Sequence, residues 1–237
     1  MRRTALLALL LALPGLASLP GRLAAAEAAQ AQPYSIASQV DLLRIVPPPP
    51  SEAATRQELD AMLSMQQQRG PEDEAACQAD AVITVFRFAD VLGDSFTPQA
   101  LPKASALFER ALASAKQAVD PAKDHYARPR PPLADSRIKP CVKLPGNGAY
   151  PSGHSTAGNL MATLLAAMVP EKAAELRARG RLFGDHRVLG GVHYPSDVDA
   201  GRLCAAALAQ ALFMDPEFQV EFKAARAELR AALGLEP

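Results

Sequence analysis

Residues 155–168 read STAGNLMATLLAAM, a stretch with the pattern of an α-helix. Period-two alternation, which is typical of strands, is nearly absent from the chain. Aromatic residues make up only 5% of the sequence and tryptophan is missing, which further disfavours a sheet-rich fold. The sequence therefore predicts an all-α fold, and no internal repeat is visible. Three later stretches have the same helical pattern, at 171–189, 197–213 and 216–233.

A run of four prolines at 47–50 separates two parts of the chain. Such a run favours an extended polyproline conformation, so residues 32–50 are predicted to form an extended arm. The remaining residues, 51–237, are expected to form one domain, since a chain of 237 residues favours a single core. Ser51 is well placed to cap the first helix of this domain. Three helices are predicted before the central region, at 51–68, 71–89 and 102–120.

Residues 1–31 have the layout of a secretory signal peptide. The basic pair Arg2-Arg3 precedes a run rich in alanine and leucine, and small residues follow up to Ala31. A membrane anchor is the alternative, but the run is short for a span and Pro14 interrupts it. No later stretch is long and apolar enough to cross a membrane. We therefore expect a periplasmic protein without stable membrane insertion after the signal is removed.

The overall charge is balanced. The formal net charge is +0, with 25 basic and 25 acidic residues, and 49% of the sequence is apolar. Such a chain can build a core, but it has no global field that would hold nucleic acid or an anionic membrane. Any binding of phosphate would need positive charge that is concentrated locally.

Three cysteines are present, and their spacing does not suggest a zinc site. An exported protein permits a disulfide, which would leave one thiol over. Cys204 lies in an apolar helical stretch and is expected to belong to the core. Cys77 with Cys141 is therefore the pair that we favour for a disulfide.

The residues that carry chemistry are concentrated in three short blocks. The first, KDHYARPRP, covers 123–131; the second, PSGH, covers 151–154; the third, HRVLGGVHYPSD, covers 186–197. Together they contain all four histidines of the chain. These are His125, His154, His186 and His193.

Each block has a physical capability that suits a phosphate group. Ser152 and Gly153 open a predicted helix, whose free N–H groups and dipole favour an anion. Asp197 follows His193 by four residues and can accept the Nδ1–H of the imidazole, which leaves Nε2 free and nucleophilic. Three cations can bind phosphate oxygens, the arginines in bidentate fashion. They are Lys123, Arg130 and Arg187.

In this order and spacing the blocks resemble the signature of the type 2 phosphatidic acid phosphatase (PAP2) superfamily, which is K-x6-R-P, P-S-G-H and S-R-x5-H-x3-D. Class A bacterial non-specific acid phosphatases are the most similar members in size, in the signal peptide and in the phrases GAYPSGH (148–154) and HYPSDVDAGR (193–202). The resemblance covers most of residues 40–230. It implies a compact helical bundle of the PAP2 and haloperoxidase type, and hydrolysis of small phosphate monoesters.

The resemblance also implies a role for each matching residue. His193 would be the nucleophile that forms a phosphohistidine, with Asp197 as its orienting partner. His154 would protonate the leaving alkoxide and then activate water. Neither a metal nor another cofactor is implied. The phosphate oxygens would be bound by Lys123, Arg130, Ser152, Gly153 and Arg187.

One position departs from the family pattern. The serine before the arginine of the third block is His186 in this chain. The family serine is expected to bind phosphate or shape the pocket, so we consider His186 a candidate pocket residue. Because a histidine adds a titrating charge, this departure leaves the optimum pH and the substrate fit open. Opposed protonation demands on His193 and His154 predict a bell-shaped pH profile with an acidic optimum.

Other functions are open at this point. Vanadate-dependent haloperoxidases resemble the same site, and a soluble lipid-phosphate phosphatase would share the signature without the membrane spans of its relatives. An exported protein that captures phosphate without turnover would not need a paired nucleophile and acid. Nucleic acid is not an expected partner, whereas the proline-rich arm leaves a homo-oligomer open.

Overall fold

A computed structural model describes residues 31–36 and 39–236. The predicted signal peptide, apart from Ala31, lies outside the described residues. The described part contains ten α-helices and no strand, which confirms the all-α prediction. The helices are α1 (Leu42–Ile45), α2 (Glu52–Gln68), α3 (Pro71–Ala79), α4 (Ala89–Leu92), α5 (Pro102–Tyr126), α6 (Pro131–Ala134), α7 (Gly153–Met168), α8 (Ala173–Leu189), α9 (Pro195–Met214) and α10 (Pro216–Ala232).

Helix α7, which contains residues 155–168, is the centre of the bundle. It packs most extensively against α8 and α9, and it also contacts α5 and α10. Eleven of its sixteen residues are buried, including Leu160, Leu164 and Met168. A helix that is apolar on all sides belongs in the interior, where its neighbours cover every face. The central position of α7 places its N-terminus, with the second block, between the other two blocks.

Two glycines let α7 and α8 approach each other closely. A Cβ on Gly158 would lie 2.5 Å from the backbone oxygen of Gly180, and a Cβ on Gly180 would lie 2.4 Å from the Cβ of Ala162. Any larger residue would push the two helices apart. The crossing thus fixes the position of α8, and with it the third block, relative to α7.

The segment 71–89 differs from the single helix that we predicted. Helix α3 ends at Ala79, a turn follows, and a short 3-10 helix covers Val85–Phe88 before α4 begins. Four β-branched residues in a row, at 82–85, have low helix propensity and explain the break. Asp80, at the end of α3, is fully buried by contacts with other elements.

The prediction for α5 was too short. We placed its end near Asp120, but the helix continues through Pro121 to Tyr126. A proline inside a helix removes one hydrogen bond. The flanking residues Ala118 and Ala122 are buried, so packing compensates for the loss. The extra turn carries Lys123, which a shorter helix would have left in a loop.

The arm is only partly extended, which corrects the prediction for 32–50. Four of its apolar side chains are buried in the core of the bundle, and Leu42–Ile45 forms one helical turn. Asp41 caps that turn by accepting a hydrogen bond from the N–H of Leu43 at 3.1 Å. The buried residues are Tyr34, Ile36, Leu42 and Val46.

Candidate active site

The fold brings the three blocks together at the ends of four helices. Lys123 lies in the last turn of α5, and Gly153 and His154 begin α7. Arg187 lies in the last turn of α8, after which Gly191 has a φ of +76° and turns the chain back. His193 therefore lies in the short connection before Pro195 begins α9.

His193 is buried and held at both ring nitrogens. Its Nδ1 lies 3.1 Å from Oδ2 of Asp197, and its Nε2 lies 2.8 Å from NH1 of Arg130. A guanidinium can only donate and a carboxylate accepts, so Nδ1 carries the hydrogen and Nε2 presents its lone pair. This is the tautomer that we predicted for a nucleophile. Burial, followed by the charges of Arg130 and Lys123, holds the pKa of His193 well below its ordinary value.

Asp197 is fully buried and shared between partners. Its Oδ2 accepts from His193 and also from the backbone N–H of Tyr194 at 2.9 Å. Its Oδ1 accepts from NH1 of Arg128 at 2.6 Å. Burial raises the pKa of Asp197, and the neighbouring Arg128 acts in the opposite direction. The hydrogen bonds supply the compensation that a buried carboxylate requires.

Arg128 is a site residue that the sequence analysis missed. Besides Asp197, it donates from NH2 to Glu58 at 2.8 Å and to Thr55 at 3.1 Å. Its guanidinium also lies over the ring of Tyr194, at 3.8 Å from the centroid. The partners are far away in sequence, so spacing could not reveal them. The only signal in the sequence was that Arg128 is a third cation of the first block, between Lys123 and Arg130.

Lys123 is buried at the end of α5. Its Nζ donates to the carbonyl of Gly148 at 2.9 Å, and it lies 3.5 Å from the carbonyl of Ala149. Burial, followed by the charge of Arg130, lowers the pKa of Lys123 to about 7. A bound anion would reverse this effect, because it would offset the cost of burying the ammonium.

Arg130 is fixed by backbone oxygens of two loops. It donates to Asn147 and Gly148 on one side and to Val192 on the other, at 2.9–3.1 Å. Burial lowers its pKa to about 10, so it stays charged at ordinary pH. The loops that carry these carbonyls flank His193, and Arg130 therefore ties the nucleophile to the segment before α7.

Arg187 has unused donors. Its side chain is buried, yet Nε and NH1 have no hydrogen-bond partner within the described residues. Its charge lowers the pKa of both His154 and His193. Buried polar atoms without partners are rare in folded proteins. A phosphate oxygen is the kind of acceptor that they lack.

The two residues of the predicted backbone cradle are placed differently. Gly153 lies on a cavity wall, where a Cβ would come within 3.9 Å of Cε of Lys123. Ser152 is fully buried beneath it, and its hydroxyl caps α7 by accepting from the N–H of Ser155 at 3.3 Å. A phosphate contact from Ser152 remains a prediction.

His154 lies beside a backbone carbonyl. Its Nε2 lies 3.2 Å from the oxygen of Ala81. A carbonyl only accepts, so Nε2 carries a hydrogen and Nδ1 is the nitrogen available for proton exchange. Burial, followed by the charge of Arg187, lowers the pKa of His154 to about 4, against the effect of the Ala81 carbonyl.

His186 is not in this cavity. Its Nδ1 lies 2.8 Å from Oδ2 of Asp80, and His186 lines a separate cleft formed mainly by residues of α8 and α9. We expected His186 to be a candidate pocket residue because it replaces a serine next to Arg187. Adjacent residues on a helix point in different directions, which explains the difference.

The cavity beside the histidines has a volume of about 450 Å³. Part of its wall is a stripe of α5 formed by Leu112, Ala115 and Val119, which leads at helical spacing to Lys123. The remaining lining includes Ile83, Ala157 and Pro145. The charged and reactive residues on its surface are Lys123, Arg130, His154 and His193, with Lys116 and Asp120 further along α5.

The cysteines differ from what the sequence led us to expect. All three cysteines are free thiols, so the favoured Cys77–Cys141 disulfide is not present. Burial, followed by the nearby Cys141, raises the pKa of Cys77 to about 12.

No helix in the described part of the chain has the length and hydropathy that a membrane crossing needs.

Comparison with known proteins gives the family. The family model described as the PAP2 superfamily matches residues 106–220. An acid phosphatase of Zymomonas mobilis is 33% identical over 201 residues, which cover 81% of this chain and 76% of the relative. A non-specific acid phosphatase of Salmonella typhimurium is 33% identical over 195 residues, or 78% of each chain. One of Providencia stuartii is 32% identical over 202 residues, or 80% of this chain and 81% of the relative. With this similarity and the three blocks assembled around one cavity, the chain belongs to the PAP2 superfamily, in the group of its class A acid phosphatases.

Proposed function

We propose that this acid phosphatase hydrolyses phosphate monoesters through a covalent phosphohistidine on His193. The observation that carries the proposal is the state of His193, which is buried with Asp197 on Nδ1 and a lone pair on Nε2. Three buried cations surround it, and His154 lies on the same cavity. This arrangement combines an activated nucleophile, charge stabilisation and a proton donor.

In the first step the ester phosphate binds to Lys123, Arg130 and Arg187. Arg130 then exchanges its contact with Nε2 of His193 for a phosphate oxygen, which frees the lone pair. Nε2 attacks phosphorus, the P–O bond to the alcohol breaks, and the leaving oxygen takes a proton from Nδ1 of His154. The product is a neutral alcohol and a phosphorylated His193.

The second step reverses the role of His154. Its Nδ1 takes a proton from water, whose oxygen attacks phosphorus while the P–N bond breaks and its electron pair returns to Nε2. Inorganic phosphate leaves and His154 is protonated again. An alcohol in place of water would give phosphotransfer to that alcohol.

The pKa values support activity at acidic pH. His193 must be neutral, which its lowered pKa permits even in acid. His154 must be protonated, and its pKa of about 4 in the free enzyme restricts that form to low pH. A bound phosphate dianion would raise the pKa of His154 through its negative charge. The alkaline limb of kcat/KM should therefore report the free His154 and lie on the acidic side of neutrality.

The direct test is phosphate release from p-nitrophenyl phosphate in the presence and absence of EDTA. We expect equal rates, since no step uses a metal, and a loss of at least about 10³-fold in kcat for His193→Ala. Substantial activity in His193→Ala would contradict the mechanism, and inactivation by EDTA would contradict metal independence.

We further propose export to the periplasm, on the basis of the signal-peptide pattern in residues 1–31. Fractionation of cells that express the full chain should recover a shortened enzyme with the periplasmic proteins. Recovery of the full-length chain in the cytoplasm would contradict this proposal.

A further inference from the structure

A cluster of charges surrounds Asp80, behind the active site. The carboxylate is fully buried and accepts four hydrogen bonds from three side chains. Arg179 donates to both oxygens, at 2.6 and 3.0 Å. Arg87 donates to Oδ1 at 3.1 Å, and Nδ1 of His186 donates to Oδ2 at 2.8 Å. Burial alone would raise the pKa of Asp80, but the hydrogen bonds from His186 and Arg179 outweigh it and hold the carboxyl well below its usual range.

The next residue in the chain contacts the active site. Ala81 presents its carbonyl oxygen to Nε2 of His154 at 3.2 Å. The turn that contains Ala81 has little apolar burial of its own, because Ala81 is exposed and Val82 and Ile83 are 62% and 38% exposed. The buried side chain of Asp80 therefore attaches the start of this turn to α8, and Phe88, which stacks on Phe183, attaches the segment that follows it.

We propose that Asp80 and His186 are positioning residues for proton transfer by His154. Through Arg179 and His186, the cluster ties the turn to α8 and fixes the carbonyl that accepts from Nε2. That hydrogen bond keeps a hydrogen on Nε2 in both charge states, so the proton that His154 exchanges is the one on Nδ1, and it keeps the ring aimed at the leaving oxygen. This inference rests on the proposed role of His154 as the general acid.

The proposed positioning role also gives a function to His186, the residue that departs from the family signature. His186 follows Asp185 on α8 and lies where the family has serine, a shorter side chain. The imidazole of His186 spans the distance to Asp80 and completes its four hydrogen bonds. Arg179 donates to the same oxygen of Asp80 as His186 does. The second cleft, which His186 lines, also contains the exposed ion-paired residues Asp185, Asp199 and Arg202.

A positioning role has a signature that a general structural role lacks. A p-nitrophenolate leaves without protonation, whereas an alkoxide needs a proton from His154. If the ring of His154 is no longer held in its orientation, the cleavage of ethyl phosphate should therefore slow more than that of p-nitrophenyl phosphate. Loss of the Ala81 hydrogen bond should also move the alkaline limb of the kcat/KM profile to lower pH. This follows because the carbonyl raises the pKa of His154, whereas burial and the charges of Arg187, Arg130 and Lys123 lower it.

The experiment compares kcat/KM for ethyl phosphate and p-nitrophenyl phosphate in Asp80→Asn, His186→Ser and His154→Asn. Asp185→Asn is the matched control, because it removes an exposed charge from the same helix, next to His186. Positioned general acids contribute about 10²–10⁴-fold, so we expect a loss of roughly tenfold on ethyl phosphate for Asp80→Asn and roughly threefold for His186→Ser. The p-nitrophenyl ester should change by less than about twofold in His186→Ser, and Asp185→Asn should leave both esters unchanged. Thermal unfolding of each variant reports whether it folds.

The outcomes separate this inference from the mechanism. Equal losses on both esters in His186→Ser, or no loss on either, would overturn the positioning role. If Asp80→Asn does not fold, His186→Ser decides. If His154→Asn itself affects both esters equally, the assignment of His154 as the acid is wrong. If only His154→Asn discriminates between the esters, the mechanism stands and the role of Asp80 and His186 is rejected.

Discussion

At the scale of single residues, the site depends on buried charges that hydrogen-bond to residues distant in sequence, apart from the donors of Arg187 that have no partner among the described residues. His193 contacts Arg130 and Asp197, and Asp197 contacts Arg128, which in turn reaches Glu58 in α2. In this series of contacts, each charged group offsets the free-energy cost of burying its neighbour. The nucleophile is thus oriented by Asp197 and, through it, by residues that do not touch the substrate.

Arg128→Ala tests this chain of contacts. The substitution would leave the carboxylates of Asp197 and Glu58 buried without their partner. Breaking a buried pair in this way costs about 3–5 kcal/mol, so we expect a loss of that size in the free energy of unfolding in urea. Arg137→Ala is the control, because it removes an exposed arginine from a surface pair with Asp135. A cost below about 1 kcal/mol, as for a surface pair, would show that Arg128 is not needed.

The lowered pKa of Lys123 makes a prediction for anion binding. Below pH 7 the ammonium is charged in the free enzyme, and above it a proton must be taken up when an anion binds. The inhibition constant of sulfate, which does not titrate in this range, should therefore rise by about tenfold for each pH unit above 7. Lys123→Arg should flatten this dependence, because a guanidinium stays charged. A constant that is independent of pH in the wild type would contradict the assignment.

Some of these residues were predictable from the sequence and others were not. His193 and Asp197 lie four positions apart, so one turn brings them together, and the signature identified the cations. Apart from the contact of Asp80 with Arg87, the side-chain partners of Arg128 and Asp80 lie more than sixty positions away, and no local pattern encodes such pairs. His186 was considered for the wrong cavity, because its direction depends on how α8 packs.

At the scale of elements, α5 serves both the chemistry and the substrate. Lys123 in its last turn faces the phosphate site, and the preceding turns present Leu112 and Val119 to the same cavity. The alcohol part of a substrate would lie along this apolar stripe. The chain beyond Asp120 was not predicted as helix, because Pro121 is a local signal against it and the packing that overrides that signal is tertiary.

Leu112→Asn tests the apolar stripe. We expect an increase of about fivefold in KM for p-nitrophenyl phosphate, since a lost apolar contact is worth about 1–3 kcal/mol. Glycerol phosphate, whose alcohol is polar, should change much less. Leu133→Asn, at a leucine that is 70% exposed, is the control. Equal changes for both esters would place the alcohol elsewhere.

At the scale of the whole molecule, the arm is part of the core. Tyr34 donates its N–H to Ser114 of α5 at 2.8 Å, and its hydroxyl donates to Glu221 of α10 at 2.5 Å. Its ring packs on Phe218 with centroids 5.3 Å apart. The carbonyl of Pro47 accepts from the hydroxyl of Tyr150, close to the second block. The proline run predicted an arm, but the sequence did not indicate where its apolar residues pack.

Tyr34→Ala measures what the arm contributes. Truncation of a buried aromatic residue costs about 3–5 kcal/mol, so the free energy of unfolding in urea should fall by that amount. KM should change little, because Tyr34 does not line the cavity. Leu43→Ala, at an arm residue that is 41% exposed, should cost less than about 0.5 kcal/mol. A similar small cost for Tyr34→Ala would mean that the arm is not an integral part of the fold.

The covalent intermediate is the central claim, and trapping it is the most direct test. The enzyme is mixed with p-nitrophenyl phosphate, quenched in denaturant at alkaline pH, where phosphohistidine survives, and digested for mass spectrometry. We predict a phosphoryl group on the peptide that contains His193, absent in His193→Ala and more abundant in His154→Asn, in which water is no longer activated. A phosphoryl group on another residue, or rapid phosphate release with His193 never modified, would contradict the account.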